Sequence, residues 1–354
     1  MNDDVFMREA LRLARKGRGH VAPNPLVGAV IVKNGRAIAR GYHRRFGGAH
    51  AEVEALARAG LRAKGATLYV NLEPCRHFGK TPPCTEAILR AGITRVVCAT
   101  RDPNGLAHGG IERLRRAGIN VAIGILEKEA RALNTPFYTF HEEKRPFITL
   151  KFAMSLDGKL GTRTGESKWI TSEAARQYAR RLRGEHAAVL VGIETVLSDD
   201  PRLTARARGS REPLRIVLDS RLRAPPRARV FKDANALVVT TRQAAARRRA
   251  AFEARGIRTI VCGGKRVSIP QLLARFYKMN IQSVLVEGGG AVLGSFFDAG
   301  LVDRLYAFYG PVLIGGRDAP ATGGHGNHSL ANALRFRETA VQRFGDSILL
   351  IGSR

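Results

Sequence analysis

His50-Ala51-Glu52, Glu73-Pro74-Cys75 and Pro82-Pro83-Cys84 put one imidazole, two thiols and a carboxylate into one short stretch of chain. An imidazole with two thiolates is a ligand set that zinc prefers. Three protein ligands leave a fourth corner for water, as a catalytic ion needs; structural zinc usually takes four. Zinc brings the pKa of bound water to about 7, so hydroxide forms at neutral pH. Glu52 stands two residues after His50, placed to move a proton from that water to a leaving amine. Cys84 opens a predicted helix, whose positive end favours the thiolate. His20, His43, His77 and His108 lack an acidic residue two positions on and rank below His50 as ligands. His77, between the two cysteines, is a candidate to touch substrate instead. Cys98 and Cys262 sit in apolar strand contexts and are expected to be packed.

The elements that must hold these groups follow from periodicity and turn chemistry. Residues 3–16 predict an amphipathic helix, and strands over 27–32 and 36–41 flank the hairpin dipeptide Asn34-Gly35. Helices are predicted over 51–59, 83–90 and 111–117, and strands over 67–70, 95–100 and 120–125. The charged run His141–Pro146 is the expected linker, dividing a domain at 1–145 from one at 146–354. Beyond it, strands are expected over 147–152, 187–191, 214–218, 237–240, 259–261, 284–286, 303–309 and 347–351. Ser172 is expected to cap a helix running to Arg183, and a second helix to follow Gly288-Gly289-Gly290. Strands alternating with helices predict α/β layers in both halves. A glycine-rich turn between a strand and a helix lets backbone N–H groups approach an anion such as a pyrophosphate. This turn is not in the usual place of a dinucleotide fingerprint, and a plain tight turn explains it equally well.

The chain has 354 residues, 44% of them hydrophobic, enough for two cores. It has no apolar run long enough to span a bilayer. An acidic N-terminus, with Asp3, Asp4 and Glu9, argues against a signal peptide. Four cysteines are too few for a disulfide scaffold and suit the cytoplasm. The net charge of +29 is spread over both halves, with 25 basic against 13 acidic residues up to 145 and 34 against 17 beyond. No aromatic residues interleave the basic runs, so solvated arginine faces are favoured over a nucleic-acid platform. Neither nucleic acid nor membrane is an expected partner.

His-x-Glu followed by Pro-Cys and a second Cys resembles the zinc deaminase signature. Cytidine and nucleic-acid deaminases show Pro-Cys-x-x-Cys. Here eight residues separate Cys75 from Cys84, which resembles the deaminase half of the bifunctional riboflavin-biosynthesis deaminase-reductase family. Pro23-Asn24-Pro25-Leu26-Val27-Gly28 and Asp102-Pro103-Asn104 resemble segments of the same family. So do Met154–Lys159, Gly165–Thr171, Thr195–Pro201 and Val286–Gly289 in the second half. The resemblance spans nearly the whole chain. It implies a cytidine-deaminase-like three-layer domain, then a dihydrofolate-reductase-like domain, and Zn2+ and NADPH as cofactors. It further implies deamination of 2,5-diamino-6-ribosylamino-4(3H)-pyrimidinone 5′-phosphate, then reduction of the ribosyl group to ribityl, in a dimer or tetramer.

Carried over by motif, Asn24 would bond the pyrimidine in the first half. In the second, Ser167, Arg183, Leu203, Arg206 and Glu287 would contact substrate, the two arginines suiting its phosphate. Ala153, Trp169, Thr195, Asp199 and Ser220 would contact NADPH. So would the turn of Gly289, Gly290, Ala291, Val292, Leu293, Gly294 and Ser295. Trp169 is the only tryptophan and suits either the core or the nicotinamide; Asp157 suits either a turn cap or chemistry. Two rivals keep the metal: a nucleic-acid base deaminase, and a basic binding module with a structural zinc clip. Glu52 discriminates against the second.

Overall fold

Alternation along short central strands decides the N-terminal architecture. The computed structural model describes residues 3–79, 82–205 and 211–354, which form two units, Met1–Lys144 and Arg145–Arg354. The first unit runs α1 (Asp3–Ala14), β1 (Gly28–Lys33), β2 (Arg36–Tyr42), α2 (Ala51–Ala59) and β3 (Thr67–Val70). It continues α3 (Cys84–Arg90), β4 (Arg95–Cys98), α4 (Gly110–Arg116), β5 (Asn120–Ile123), α5 (Glu127–Leu133) and α6 (Thr135–Glu142). The sheet order is β2-β1-β3-β4-β5, with β3, β4 and β5 parallel and β1 antiparallel to both its neighbours. Successive strand residues point to opposite faces. Ala29, Ile31, Leu68, Val70, Val96 and Cys98 therefore pack with Ala55 of α2, Ile88 of α3 and Leu114 of α4. Val30, Val32, Tyr69 and Val97 pack on the other face with Met7, Ala10 and Leu11 of α1 and Ala130 of α5. The result is three layers, helix on sheet on helix. Asn34 (φ 51°) and Gly35 (φ 72°) make the two-residue hairpin turn that their types demand.

The second unit begins β6 (Phe147–Met154), α7 (Glu173–Gly184), β7 (Ala188–Gly192), α8 (Ile193–Asp199), β8 (Leu214–Leu218) and β9 (Ala236–Thr240). It continues α9 (Ala246–Glu253), β10 (Arg258–Val261), α10 (Ile269–Lys278), β11 (Ser283–Val286) and α11 (Gly290–Asp298). It ends β12 (Arg304–Tyr309), β13 (Glu338–Phe344) and β14 (Ser347–Ser353). The order β10-β9-β8-β7-β11-β6-β12-β14-β13 is parallel except at β14, antiparallel to both neighbours. Ser172 caps α7 as expected, its hydroxyl accepting the Ala175 N–H.

The expected linker is corrected in part: His141 and Glu142 are the last turn of α6. Arg145 is anchored, its guanidinium bonding both carboxylate oxygens of Asp303 at 2.7 Å. Strand β13 was not expected because its residues are nearly all exposed on a sheet edge and have no apolar alternation. Helix α9 buries only Phe252 and shows no amphipathic pattern.

His186, just before β7, has a consequence for pH. Its Nδ1 donates to the Leu182 carbonyl at 2.7 Å, so its Nε2, 2.9 Å from the buried Thr149 hydroxyl, acts as acceptor in the neutral ring. Burial pushes its pKa down from 6.5 to about 4. Between those values the unfolded chain holds a proton that the folded chain does not. Stability is therefore full above pH 6.5 and falls as pH drops, by about 2 kcal/mol between pH 7 and 5. In His186→Gln, melting of the second unit should depend less steeply on pH over that range; parallel melting curves against pH would show that His186 has no such role.

Candidate active sites

The turn from Ala49 into α2 sets His50 at the N-cap position and Glu52 in the first turn. Cys75 follows β3 and Cys84 opens α3. One ligand atom each from His50, Cys75 and Cys84 lie within 4.8 Å of one another, and among the described residues no fourth ligating side chain joins them. His50 Nδ1 stands 3.2 Å from Cys84 Sγ and 3.6 Å from Cys75 Sγ. The Cys75 thiol is pulled down to about 4 because it accepts hydrogen bonds from Cys84 and His50. Thiolate character in one sulfur, with a second sulfur and an imidazole nitrogen alongside, fits zinc. Two residues of the long loop between the cysteines, Lys80 and Thr81, lie outside the described residues.

His50 and Cys75 line a cavity of about 210 Å³ with Glu52, Asn24, His43, His77, Asp102, Asn104 and Phe137 among its walls. Glu52 is 3% exposed, and burial raises its pKa, which suits a group that must both take and give a proton. His43, ranked low as a ligand, has another place. Its Nδ1–H donates to Ala49 O at 3.0 Å, leaving Nε2 to accept from Asn24 Nδ2 at 3.1 Å. It thereby fixes the Asn24 amide. His77 Nδ1 is buried without a hydrogen-bond partner among the described residues.

A second cavity, of about 470 Å³, opens where β7 and β11 end, the usual ligand position in parallel sheets. Ala153, Ser167, Trp169, Arg183, Thr195, Asp199, Leu203, Glu287, Gly289 and Gly290 all line it. Gly289 is the N-cap of α11. A Cβ on Gly289 would meet only Thr195 Oγ1, at 3.9 Å, whereas one on Gly290 would strike the Ala321 carbonyl at 2.0 Å. A helix N-terminus with bare glycine backbone beside a large cavity fits a dinucleotide pyrophosphate. Trp169 is 65% exposed, with the Arg176 guanidinium 4.3 Å from its ring centre, so it is no core residue.

Several expected cofactor contacts fall outside that wall. Leu293 is buried in the core, and Val292 packs against Gly192 and Gly288. Gly294 abuts the backbone of Gly323, and Ser295 bonds its own helix at Ala291 O. The Ser220 carbonyl accepts the hydroxyls of Thr240 and Thr241. Arg206 lies outside the described residues. Arg183 does not present a free fork to phosphate. Its Nε and Nη2 bond Glu287 at 2.7 and 2.9 Å, and its Nη1 bonds Thr204 O. Lys151, unmarked by sequence, is half-buried beside the same carboxylate, its Nζ 3.7 Å from Glu287 Oε2. Burial pushes Glu287 up, but the two cations outweigh it and hold the carboxyl at about 2. Asp157 is a turn cap, accepting from Ser155 Oγ and the N–H groups of Ile314 and Gly315.

Residues 1–100 match the family model of the cytidine and deoxycytidylate deaminase zinc-binding region. Residues 146–350 match the RibD C-terminal domain. The riboflavin biosynthesis protein RibD of Aquifex aeolicus is 44% identical over 354 residues, covering 99% of this chain and 98% of that one. The chain belongs to the RibD family. The RibD structure from Acinetobacter baumannii superposes with a TM-score of 0.91 at 37% identity, covering 99% of this chain and 98% of that one. A structure from Thermotoga maritima, described as a diaminohydroxyphosphoribosylaminopyrimidine deaminase/5-amino-6-(5-phosphoribosylamino)uracil reductase, has a TM-score of 0.87 at 38% identity, with 99% and 98% covered. The RibD fold joins a cytidine-deaminase-like domain to a dihydrofolate-reductase-like one. This RibD chain is accordingly a bifunctional deaminase and reductase of riboflavin biosynthesis that uses zinc and NADPH. Among the described residues, no helix is long and apolar enough to cross a membrane.

Proposed function

We propose that residues 1–145 deaminate 2,5-diamino-6-ribosylamino-4(3H)-pyrimidinone 5′-phosphate and that residues 146–354 reduce its product to 5-amino-6-ribitylamino-uracil 5′-phosphate. The clustering of His50, Cys75 and Cys84, with His50, Cys75 and the buried Glu52 lining one cavity, supports this above all. The three ligands hold zinc, whose Lewis acidity lets solvent act as nucleophile at neutral pH. Water adds at the amino-bearing ring carbon, ammonia leaves, and a carbonyl remains. Glu52 takes the proton from the nucleophile and returns it to the departing nitrogen. Asn24, steadied by His43, bonds the ring, and His77 offers its unpaired Nδ1 to the substrate.

In the second unit NADPH supplies the hydride that reduces the ribosyl C1′. The α11 N-terminus at Gly289 and Gly290 would hold its pyrophosphate, in the cavity that Trp169, Thr195, Ala153 and Asp199 also line. Glu287, ionised between Arg183 and Lys151, gives the cavity a fixed charged floor beside Ser167 and Leu203. We place the enzyme in the cytoplasm, in keeping with four free cysteines. We expect two or four copies per particle, as the exposed edge strand β13 would allow; a monomer by sedimentation would refute that.

Removing the metal tests the division of labour. Treating the whole enzyme with a chelator should abolish ammonia release and leave NADPH oxidation on the deaminated substrate intact. Zinc added back should restore the first rate. Ammonia release that survives with no bound metal would refute the catalytic zinc.

A further inference from the structure

Glu73, two residues before Cys75, takes no part in the chemistry above. Its side chain is fully buried, yet three backbone N–H groups converge on it. Asp102 N donates to Oε2 at 3.0 Å, while Gly109 N and Ile111 N donate to Oε1 at 2.9 and 3.0 Å. His108 Nδ1 stands 3.5 Å from Oε2. On the other side of Cys75, Arg76 Nε donates to His108 O at 2.7 Å. Gly110 lies so near that a Cβ would sit 1.8 Å from the Pro74 carbonyl oxygen. The residues flanking Cys75 are thus fastened to both ends of the 102–109 loop.

That loop supplies Asp102, Asn104 and Ala107 to the wall of the cavity holding His50, Glu52 and Cys75. Asp102 is buried, and its Oδ1 accepts Asn104 N at 2.8 Å. Among the described residues, no hydrogen bond engages its Oδ2. Burial pushes the Asp102 carboxyl up to about 7; its free oxygen accepts N–H and O–H donors, and its ionised form repels phosphate. Buried N–H groups need acceptors, and two side-chain oxygens meet three of them here. An amide in place of Glu73 would turn its own N–H towards that of Asp102 and push the loop away.

We propose that Glu73 is a positioning residue for the deaminase cavity. It sets the 102–109 loop so that Asp102 and Asn104 form a wall selecting hydrogen-bond donors on the uncharged part of the substrate, ribose hydroxyls or ring amino groups. The proposal rests on the deaminase reading above, but affinity for the deaminated product tests it without turnover: calorimetry in the absence of NADPH, fitted to two sites, reports both cavities, and the reductase KM for the same compound identifies the second.

The test uses the whole zinc-loaded enzyme. Glu73→Gln should raise the deaminase KM and the product Kd about tenfold or more, with a much smaller effect on kcat. Zinc content and reductase rate should stay at wild-type levels, and hydrogen exchange should quicken at residues 102–111. Asp102→Asn should lose similar affinity with exchange unchanged. Two analogues, one lacking the ribose 2′- and 3′-hydroxyls and one lacking the ring 5-amino group, identify the donor. The analogue whose affinity no longer responds to Asp102→Asn lacks the group that this wall binds. Faster exchange in Glu73→Gln with unchanged KM and Kd would make Glu73 a merely structural clamp and overturn the proposal. If Glu73→Gln does not fold, full product affinity in Asp102→Asn overturns it equally. A wild-type enzyme that binds the product at both sites but releases no ammonia would defeat the deaminase reading and leave the wall to be judged by binding at the first site.

Discussion

Glu52→Gln should cut ammonia release by about a thousandfold while zinc stays at one ion per chain. Positioned proton transfer is worth about a hundred- to ten-thousandfold, and Glu52 is the buried carboxylate beside the His50–Cys75–Cys84 group. Glutamine keeps the size and the place at the start of α2, so packing should not change. It cannot take a proton from the nucleophile or hand one to the leaving nitrogen. His50, Cys75 and Cys84 are untouched, so metal analysis should match wild type. NADPH oxidation on the deaminated substrate should also match, since Glu287, Arg183 and Lys151 lie in the other unit. Undiminished ammonia release would mean that the metal is a structural clip and that the carboxylate is only packed.

Arg183→Met should have the largest effect in the second unit. It leaves Glu287 buried with Lys151, 3.7 Å away, as its one remaining cation among the described residues. Breaking a buried pair costs up to about 3–5 kcal/mol when the charge left behind has no partner; Lys151 stays beside this carboxylate and lessens that cost. The Glu287 carboxyl now sits at about 2, below its ordinary 4.5. That depression contributes stability that is full above pH 4.5 and is lost as pH falls towards 2. In the variant the carboxyl should shift up, the contribution should shrink to what Lys151 sustains, and melting of the second unit should come earlier at pH 7. NADPH oxidation on the deaminated substrate should fall at least a hundredfold, from loss of the ordered Thr204 contact and the fixed charge of Glu287. Ammonia release should persist at low temperature. A reductase rate within threefold of wild type would show that the bidentate pair is dispensable.

The zinc group was legible because its evidence is local. Side-chain type and short spacing announce it, and the chain need only turn at Ala49 and again after β3 to bring the groups together. The hairpin at Asn34-Gly35, helix α2 and strand β3 were legible for the same reason, since turn chemistry and apolar period act within a few residues. Helix α10 was not among the expected elements, although Ile269, Leu272, Leu273 and Phe276 stand at helical spacing. Strand β13 was not, since an exposed edge strand needs no apolar face. Helix α9, with a single buried residue, likewise gave no pattern to find.

The sequence by itself determined the α/β class and singled out the candidate metal ligands, the carboxylate proposed as proton carrier and the glycines at the mouth of α11. Only the tertiary structure decided how Arg183 is spent, that Lys151 joins it at Glu287, and that Glu73 fastens the far wall of the first cavity. Lys151 and Glu287 lie on or just after neighbouring strands because β11 inserts between β7 and β6. Arg183 comes to them from α7, and 104 residues of sequence separate it from its partner. A buried charge takes its meaning from the charges and N–H groups that surround it. Those neighbours are assigned by sheet order and packing, which no spacing along the chain records.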